Sequence, residues 1–357
     1  MRETTAWMFD DTGRGGRRTT VARRDLRDDD VAVRIDFCGV CHTDVHSIDG
    51  LAAGGSVVPG HEFTGTVVAV GDAVSTFRTG DTVAVGNIVD SCGICAHCRA
   101  GQENWCHEFP TLTYGGTDRR DGSTTAGAYA REYVVREGFC HPLPDGLDPA
   151  AAAPLLCAGV TVWEPLRAAG VDSTSRVAVA GLGGLGHLAV KFAVALGART
   201  TVISRSADKA EDARALGADD LLVSTDEERM AAARDTFDVV IDTISAEHQI
   251  EPYLRVTAVD GVLVQLGHLG PMSVDTLALL VGRKRLSSSG SGGLRSTREM
   301  LAFCGEHGVL ADVDVVPSAE VDAALSRVRH NDVRYRMVLD MSDLDMPGVH
   351  GEVEAAR

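Results

Sequence analysis

The sequence is short of several things that would place a protein quickly. No stretch approaches the roughly eighteen consecutive apolar residues that a membrane-spanning helix needs. The opening segment MRETTAWMFDDTGRGGRR has no apolar core of secretory-signal length. Both absences lead to the expectation of a cytoplasmic chain without a membrane partner. Positive charge is scarce as well: 34 Lys plus Arg stand against 51 Asp plus Glu, a net charge of −17. Affinity for a nucleic-acid backbone comes from neutralising phosphates, so no nucleic-acid partner is expected. Repeats and low-complexity tracts are missing, the 39 glycines being scattered at prospective turns. No Pro/Ser-rich linker divides the chain, although 357 residues exceed a single typical core and point to two domains.

What is present falls into two patterns. Up to about residue 150, DVAVRIDFCGV, FTGTVVAVG, DTVAVG and AREYVV are short, valine-rich and roughly alternating, with Gly and Asp between them. These predict a β-rich domain on a barrel-like sheet. After PDGLDPAAAAPLLCAG, strands alternate with helices: SRVAVAG, GLGHLAVKFAVALGA, TTVIS, ADKAEDARALGA, DDLLVS, DEERMAAARD, FDVVIDT and GVLVQLG. That alternation predicts an α/β domain with a doubly wound parallel sheet. The tail, ADVDVVPSAEVDAALSRVRHNDVRYRMVLDM, returns to strand, helix, strand and is expected to cross back and complete the first domain. The expected division is therefore 1–153 with 291–357 for one domain and 154–290 for the other.

Within VAVAGLGGLGHLAV, Gly181, Gly183 and Gly186 fit the G-x-G-x-x-G pattern, with Gly184 and Leu185 between them. The pattern follows a strand and opens a helix, which gives it weight as a dinucleotide turn. Gly181 allows the tight turn, Gly183 lets a pyrophosphate reach backbone amides, and Gly186 permits close helix–strand packing. At the end of the next strand an NAD-preferring site usually carries an acid for the ribose 2′-hydroxyl. Here Ser204, Arg205 and Ser206 stand there, with Lys209 one turn on. A guanidinium suits a 2′-phosphate, so NADP(H) is the expected coenzyme. Arg205 and Lys209 also read as solvated cations at a helix start.

Cysteine is concentrated. SCGICAHCRAGQENWC holds Cys92, Cys95, Cys98 and Cys106 in a C-x2-C-x2-C-x7-C pattern. Four thiolates so close in sequence can close a tetrahedron around one ion with no place for water, which predicts a structural zinc lobe. A cubane iron–sulfur cluster is the other four-cysteine solution. His97 and His107 are expected to be solvated, and Trp105 and Trp163 to serve packing. Cys41, His61 with Glu62, and Cys157 are scattered, and spacing alone gives them no role. Buried cysteines are usually small hydrophobes. Cys38, Cys140 and Cys304 read that way.

In order along residues 30–340, GVCHTDVH, VPGHEFTGTVVAVG, the four-cysteine lobe, AAAPLLCAGVTVW, GLGGLGHLAVKFA, MLAFC and NDVRYRMVLD resemble the zinc-dependent medium-chain alcohol dehydrogenases, in their cinnamyl alcohol dehydrogenase-like branch. The resemblance implies a GroES-like catalytic domain beside a Rossmann domain, two Zn²⁺ per chain and a homodimer. It implies a catalytic zinc on Cys41, His61 and Cys157 with a fourth position for water or substrate oxygen, Glu62 as an alternate ligand, and Asp44 orienting His61. It also implies a proton path from Thr43 through the nicotinamide ribose to His46, imidazole being the side chain suited to exchange at cellular pH. The expected activity is interconversion of primary alcohols and aldehydes, aromatic or aliphatic. Two rivals are a reductase of a conjugated alkene or iminium on the same scaffold, and a non-catalytic NADPH-binding protein with structural zinc only. One departure stands out: where relatives often read GSFIGG this chain reads SSGSGG, placing Gly290 where an aromatic can wall the substrate pocket. TLTYGGTDRRDGSTTAG also departs around the cleft, so cinnamyl specificity is not implied.

Overall fold

The computed structural model describes residues 2–345. The tail of the expected first domain beyond 345 lies outside the described residues. The N-terminal half is organised by the strand Asp30–Val40, whose apolar residues are almost all buried. It lies at the centre of a seven-stranded sheet ordered His141–Pro142, Thr82–Val85, Phe63–Val70, Asp30–Val40, Arg336–Asp340, Val313–Pro317, with Glu132–Arg136 also pairing to Asp30–Val40. The returning tail therefore supplies two strands, and Met337 to Asp340 run antiparallel to Phe37 to Val40. Arg2–Asp10 and Arg17–Arg23 add a hairpin that sequence patterning did not single out.

The other half is one parallel sheet ordered Asp220–Val223, Arg199–Ser204, Arg176–Ala180, Phe237–Asp242, Thr257–Gln265, Arg285–Ser288. Its first strand is buried from Val177 to Ala180, as a strand covered by helices on both faces must be. Chain order reverses at that strand, which leaves a crevice at its carboxyl end. Two helices outside the expected pattern, Ala158–Ala168 and Leu294–His307, pack together through Trp163 and Phe303, ring centroids 4.8 Å apart, with Phe192 of the helix Gly186–Ala195 against both rings. Ala158–Ala168 is apolar on most sides and carries Pro165, so it shows no clean amphipathic period. Its hydrophobic cluster takes in Leu143 and Ala152 from one half, Leu155 and Leu188 from the sheet half, and Met300 and Tyr335 from the tail. The junction is a shared core. Trp105, expected to pack, is 46% exposed on the cysteine lobe because the lobe is too small to cover it.

Candidate active site and metal centres

The cysteine lobe is held from the backbone. Cys92 Sγ accepts from the Cys95 amide at 3.4 Å, Cys95 Sγ from the Cys98 amide at 3.5 Å and Cys106 Sγ from the Cys92 amide at 3.5 Å. The Cys98 and His107 amides pull the Cys95 thiol down to about 6, and, against burial, the Cys92 and Glu108 amides lower Cys106. The four sulfurs lie within 4.8 Å of one another, with Cys92 and Cys98 at 3.8 Å. A tetrahedron with zinc–sulfur bonds of about 2.3 Å has edges of about 3.8 Å, so the donor set fits zinc. His97 and His107 face each other edge to face at 4.9 Å and do not belong to the group.

A second group converges from three distant segments. Cys41 directly precedes the helix His42–Asp49, and Cys157 directly precedes Ala158–Ala168. Free amides and the dipole at such positions favour thiolate. His61 arrives from the turn before Phe63–Val70. There Gly60 has φ +96°, and a Cβ on it would lie 2.7 Å from the Tyr129 amide nitrogen. Cys41 Sγ and Cys157 Sγ are 4.0 Å apart, and His61 Nε2 is 3.3 Å from Cys157 Sγ. The Cys157 contact, then His61, draw the Cys41 thiol well below its ordinary value; the contact with Cys41, followed by burial, raises Cys157. Two thiols and an imidazole at these separations suit zinc and leave one tetrahedral position undefined by protein.

Asp44 organises the group. Its buried carboxylate accepts from His61 Nδ1 at 3.1 Å, the Gly60 amide at 3.0 Å, the Cys41 amide at 3.0 Å and the Tyr129 hydroxyl at 3.2 Å. Donation from Nδ1 frees the Nε2 lone pair toward the sulfurs. Thr43 and His46 are exposed on the same helix, with Thr43 Oγ1 3.6 Å from Cys41 Sγ.

Glu62 is buried and paired with Arg336. Burial lifts its carboxyl to about 8 against the pull of the guanidinium. Burial opposes the charge on Arg336, but Glu62, Cys41 and Cys157 raise its pKa. Glu62 Oε2 and Arg336 Nε have no partner among the described residues. Arg336 also lies against the glycine turn: a Cβ on Gly184 would sit 3.0 Å from its Nη1. Sequence reasoning gave no role to Arg336, although NDVRYRMVLD was among the matching motifs. It also passed over Tyr129 and Tyr114, whose ring centroid is 5.8 Å from that of His61. Nothing in the local sequence marks either tyrosine.

The glycine turn sits at the crevice. Gly181 has φ +87°, and a Cβ on Gly186 would be 2.1 Å from Gly181 O, so only glycine allows that helix–strand approach. Gly183 is exposed, with no atom within 4 Å of where a Cβ would lie, so its backbone is open to a ligand. Arg205 and Ser206 are exposed beyond Ser204, while Lys209 is 3.7 Å from Asp212.

A β-rich half with one closed and one open thiolate-rich group, joined to a dinucleotide-type sheet, is the construction of a two-metal dehydrogenase. The comparisons agree: residues 27–145 match the alcohol dehydrogenase GroES-like domain and 184–306 the zinc-binding dehydrogenase domain. The chain belongs to the zinc-dependent alcohol dehydrogenase family. It is 46% identical over 325 residues, 90% of each chain, to a probable cinnamyl alcohol dehydrogenase of Oryza sativa. It is 43% identical to NADP-dependent alcohol dehydrogenase C of Mycobacterium tuberculosis, over 92% of this chain and 95% of that one. A cinnamyl alcohol dehydrogenase from Sorghum bicolor superimposes with a TM-score of 0.91 at 41% identity, covering 98% of this chain and 100% of that one.

Proposed function

We propose that the protein is a zinc-dependent, NADP(H)-using oxidoreductase that interconverts primary alcohols and aldehydes. The observation that carries this reading is the open Cys41–His61–Cys157 group beside an exposed glycine turn. Cys92, Cys95, Cys98 and Cys106 would hold a structural ion, and Cys41, His61 and Cys157 the ion at the reacting centre. When bound, that second zinc supplies Lewis-acid polarisation of a carbonyl and the nicotinamide supplies the reducing equivalent.

The remaining work belongs to the chain. Asp44 holds His61 in one tautomer and orientation. Thr43 faces the open side of Cys41 and passes the alcohol proton outward. His46, one turn on and exposed, exchanges it with water. Glu62 is kept off the three ligands by Arg336 and is the alternate ligand available when that pair opens. Ser204, Arg205, Ser206 and Lys209 receive the 2′-phosphate, with Arg205 the exposed cation at the strand end. The NADP dependence carried in the name of the mycobacterial relative supports this coenzyme preference. Gly290 faces open space with no atom within 4 Å, consistent with a wide pocket taking varied aldehydes.

The functional division falls at 154 and 291, with the catalytic part formed by 1–153 and the returning tail. A homodimer forms through the sheet edge at Arg285–Ser288, beside which Leu277, Leu280 and Val281 are exposed. Sedimentation as a monomer at micromolar concentration would overturn the dimer. We place the protein in the reducing cytoplasm, where cysteines that are not paired in disulfides are free to hold metal. Among the described residues, no helix is long and apolar enough to cross a membrane.

The deciding experiment measures NADPH and NADH oxidation over a panel of aldehydes, with metal analysis of the same sample. Two zinc ions per chain and faster turnover with NADPH are expected. Arg205→Ala should raise the KM for NADPH about tenfold and leave that for NADH unchanged. One zinc per chain and no turnover would favour a binding protein instead.

A further inference from the structure

His187 is fully buried and takes no part in the chemistry at the Cys41–His61–Cys157 group. It follows Gly186 on the helix Gly186–Ala195 that starts at the glycine turn. Its Nδ1 is 3.1 Å from the carbonyl oxygen of Gly183, which also accepts the His187 amide at 3.0 Å. Its Nε2 accepts from the amide of Asp312, 125 positions away, at 3.4 Å. The two contacts fix a neutral ring with its proton on Nδ1, because a second proton would face another N–H. The ring stacks on Tyr335 with centroids 4.8 Å apart and planes at 11°.

Asp312 is a junction. Its carbonyl accepts the amides of Tyr335 and Arg336, each at 3.1 Å, and its carboxylate pairs with Lys191, one turn beyond His187. Arg336 then reaches Glu62 on one side and lies against Gly184 on the other. The imidazole thus joins the turn to the strand that carries Arg336. A leucine there would fill similar space and avoid burying two polar nitrogens, so packing alone does not account for the residue.

We propose that His187 is a positioning residue: it sets the register of the pyrophosphate-binding turn against the returning tail, so that the exposed backbone at Gly183 is held ready for the coenzyme. The proposal rests on the reading of the glycine turn as an NADPH site. It concerns the pyrophosphate end of that site and leaves the 2′-phosphate end, at Ser204 to Ser206, unaffected.

The test is direct binding of NADPH by fluorescence titration, with 2′-AMP as a competing fragment that lacks the pyrophosphate. His187→Leu should weaken NADPH about tenfold and leave 2′-AMP unchanged. At saturating NADPH its kcat should stay within about twofold of wild type. His187→Asn, whose amide can still donate to Gly183 O, should recover much of the loss. Should the leucine variant not fold, His187→Gln, which keeps only the Asp312 contact, carries the same expectation. Equal NADPH affinity in wild type and variant overturns the proposal. So does an equal loss for NADPH and 2′-AMP, which marks general loosening. A wild-type chain that binds neither ligand removes the coenzyme reading and this inference with it.

Discussion

The two thiolate-rich groups are built on opposite plans. The lobe at 92–106 draws all four sulfurs from one loop and fixes them with its own amides. The second group draws Cys41, His61 and Cys157 from separate segments and relies on Asp44, Gly60 and Tyr129 to aim them. A closed, self-contained set anchors a loop. An open set with a long supporting cast can act on a substrate.

That contrast can be broken at its strongest point. Cys41→Ser should lower kcat by on the order of a thousandfold while leaving one zinc per chain and an almost unchanged melting temperature. Cys98→Ser should do the reverse, lowering the melting temperature by roughly 5–10 °C while the folded fraction keeps most of its turnover. If each variant damaged both properties equally, the division of labour between the groups would be wrong. The smallest effect is expected at the pocket wall. Gly290→Phe should shift the preference between small and bulky aldehydes by roughly threefold to tenfold in kcat/KM. An unchanged ratio would show that position 290 does not border the substrate.

The same contrast explains what could be read from the sequence. The lobe was visible by spacing because its ligands are local, and the dinucleotide turn because glycine is demanded at fixed offsets between a strand and a helix. Cys41, His61 and Cys157 were visible only through resemblance, since their proximity is a product of the tertiary fold. Arg336 was hidden for a sharper reason: its partners Glu62 and Gly184 come from different halves, and no local pattern announces such a meeting. Most strands of both sheets were legible from valine-rich runs bounded by Gly and Asp, but the edge strand Arg285–Ser288, polar in three of its four residues, was not. The helix Leu294–His307 has apolar side chains at helical spacing in Met300, Leu301 and Cys304, but it begins in a polar, glycine-rich stretch that reads as loop.

The pairing of Arg336–Asp340 with Asp30–Val40 also bears on how the chain is made. During synthesis, the strand leading into Cys41 emerges long before the neighbour that seals its edge. Until then that edge is open to wrong partners, so a chain truncated before residue 336 is expected to aggregate instead of yielding a usable amino-terminal fragment.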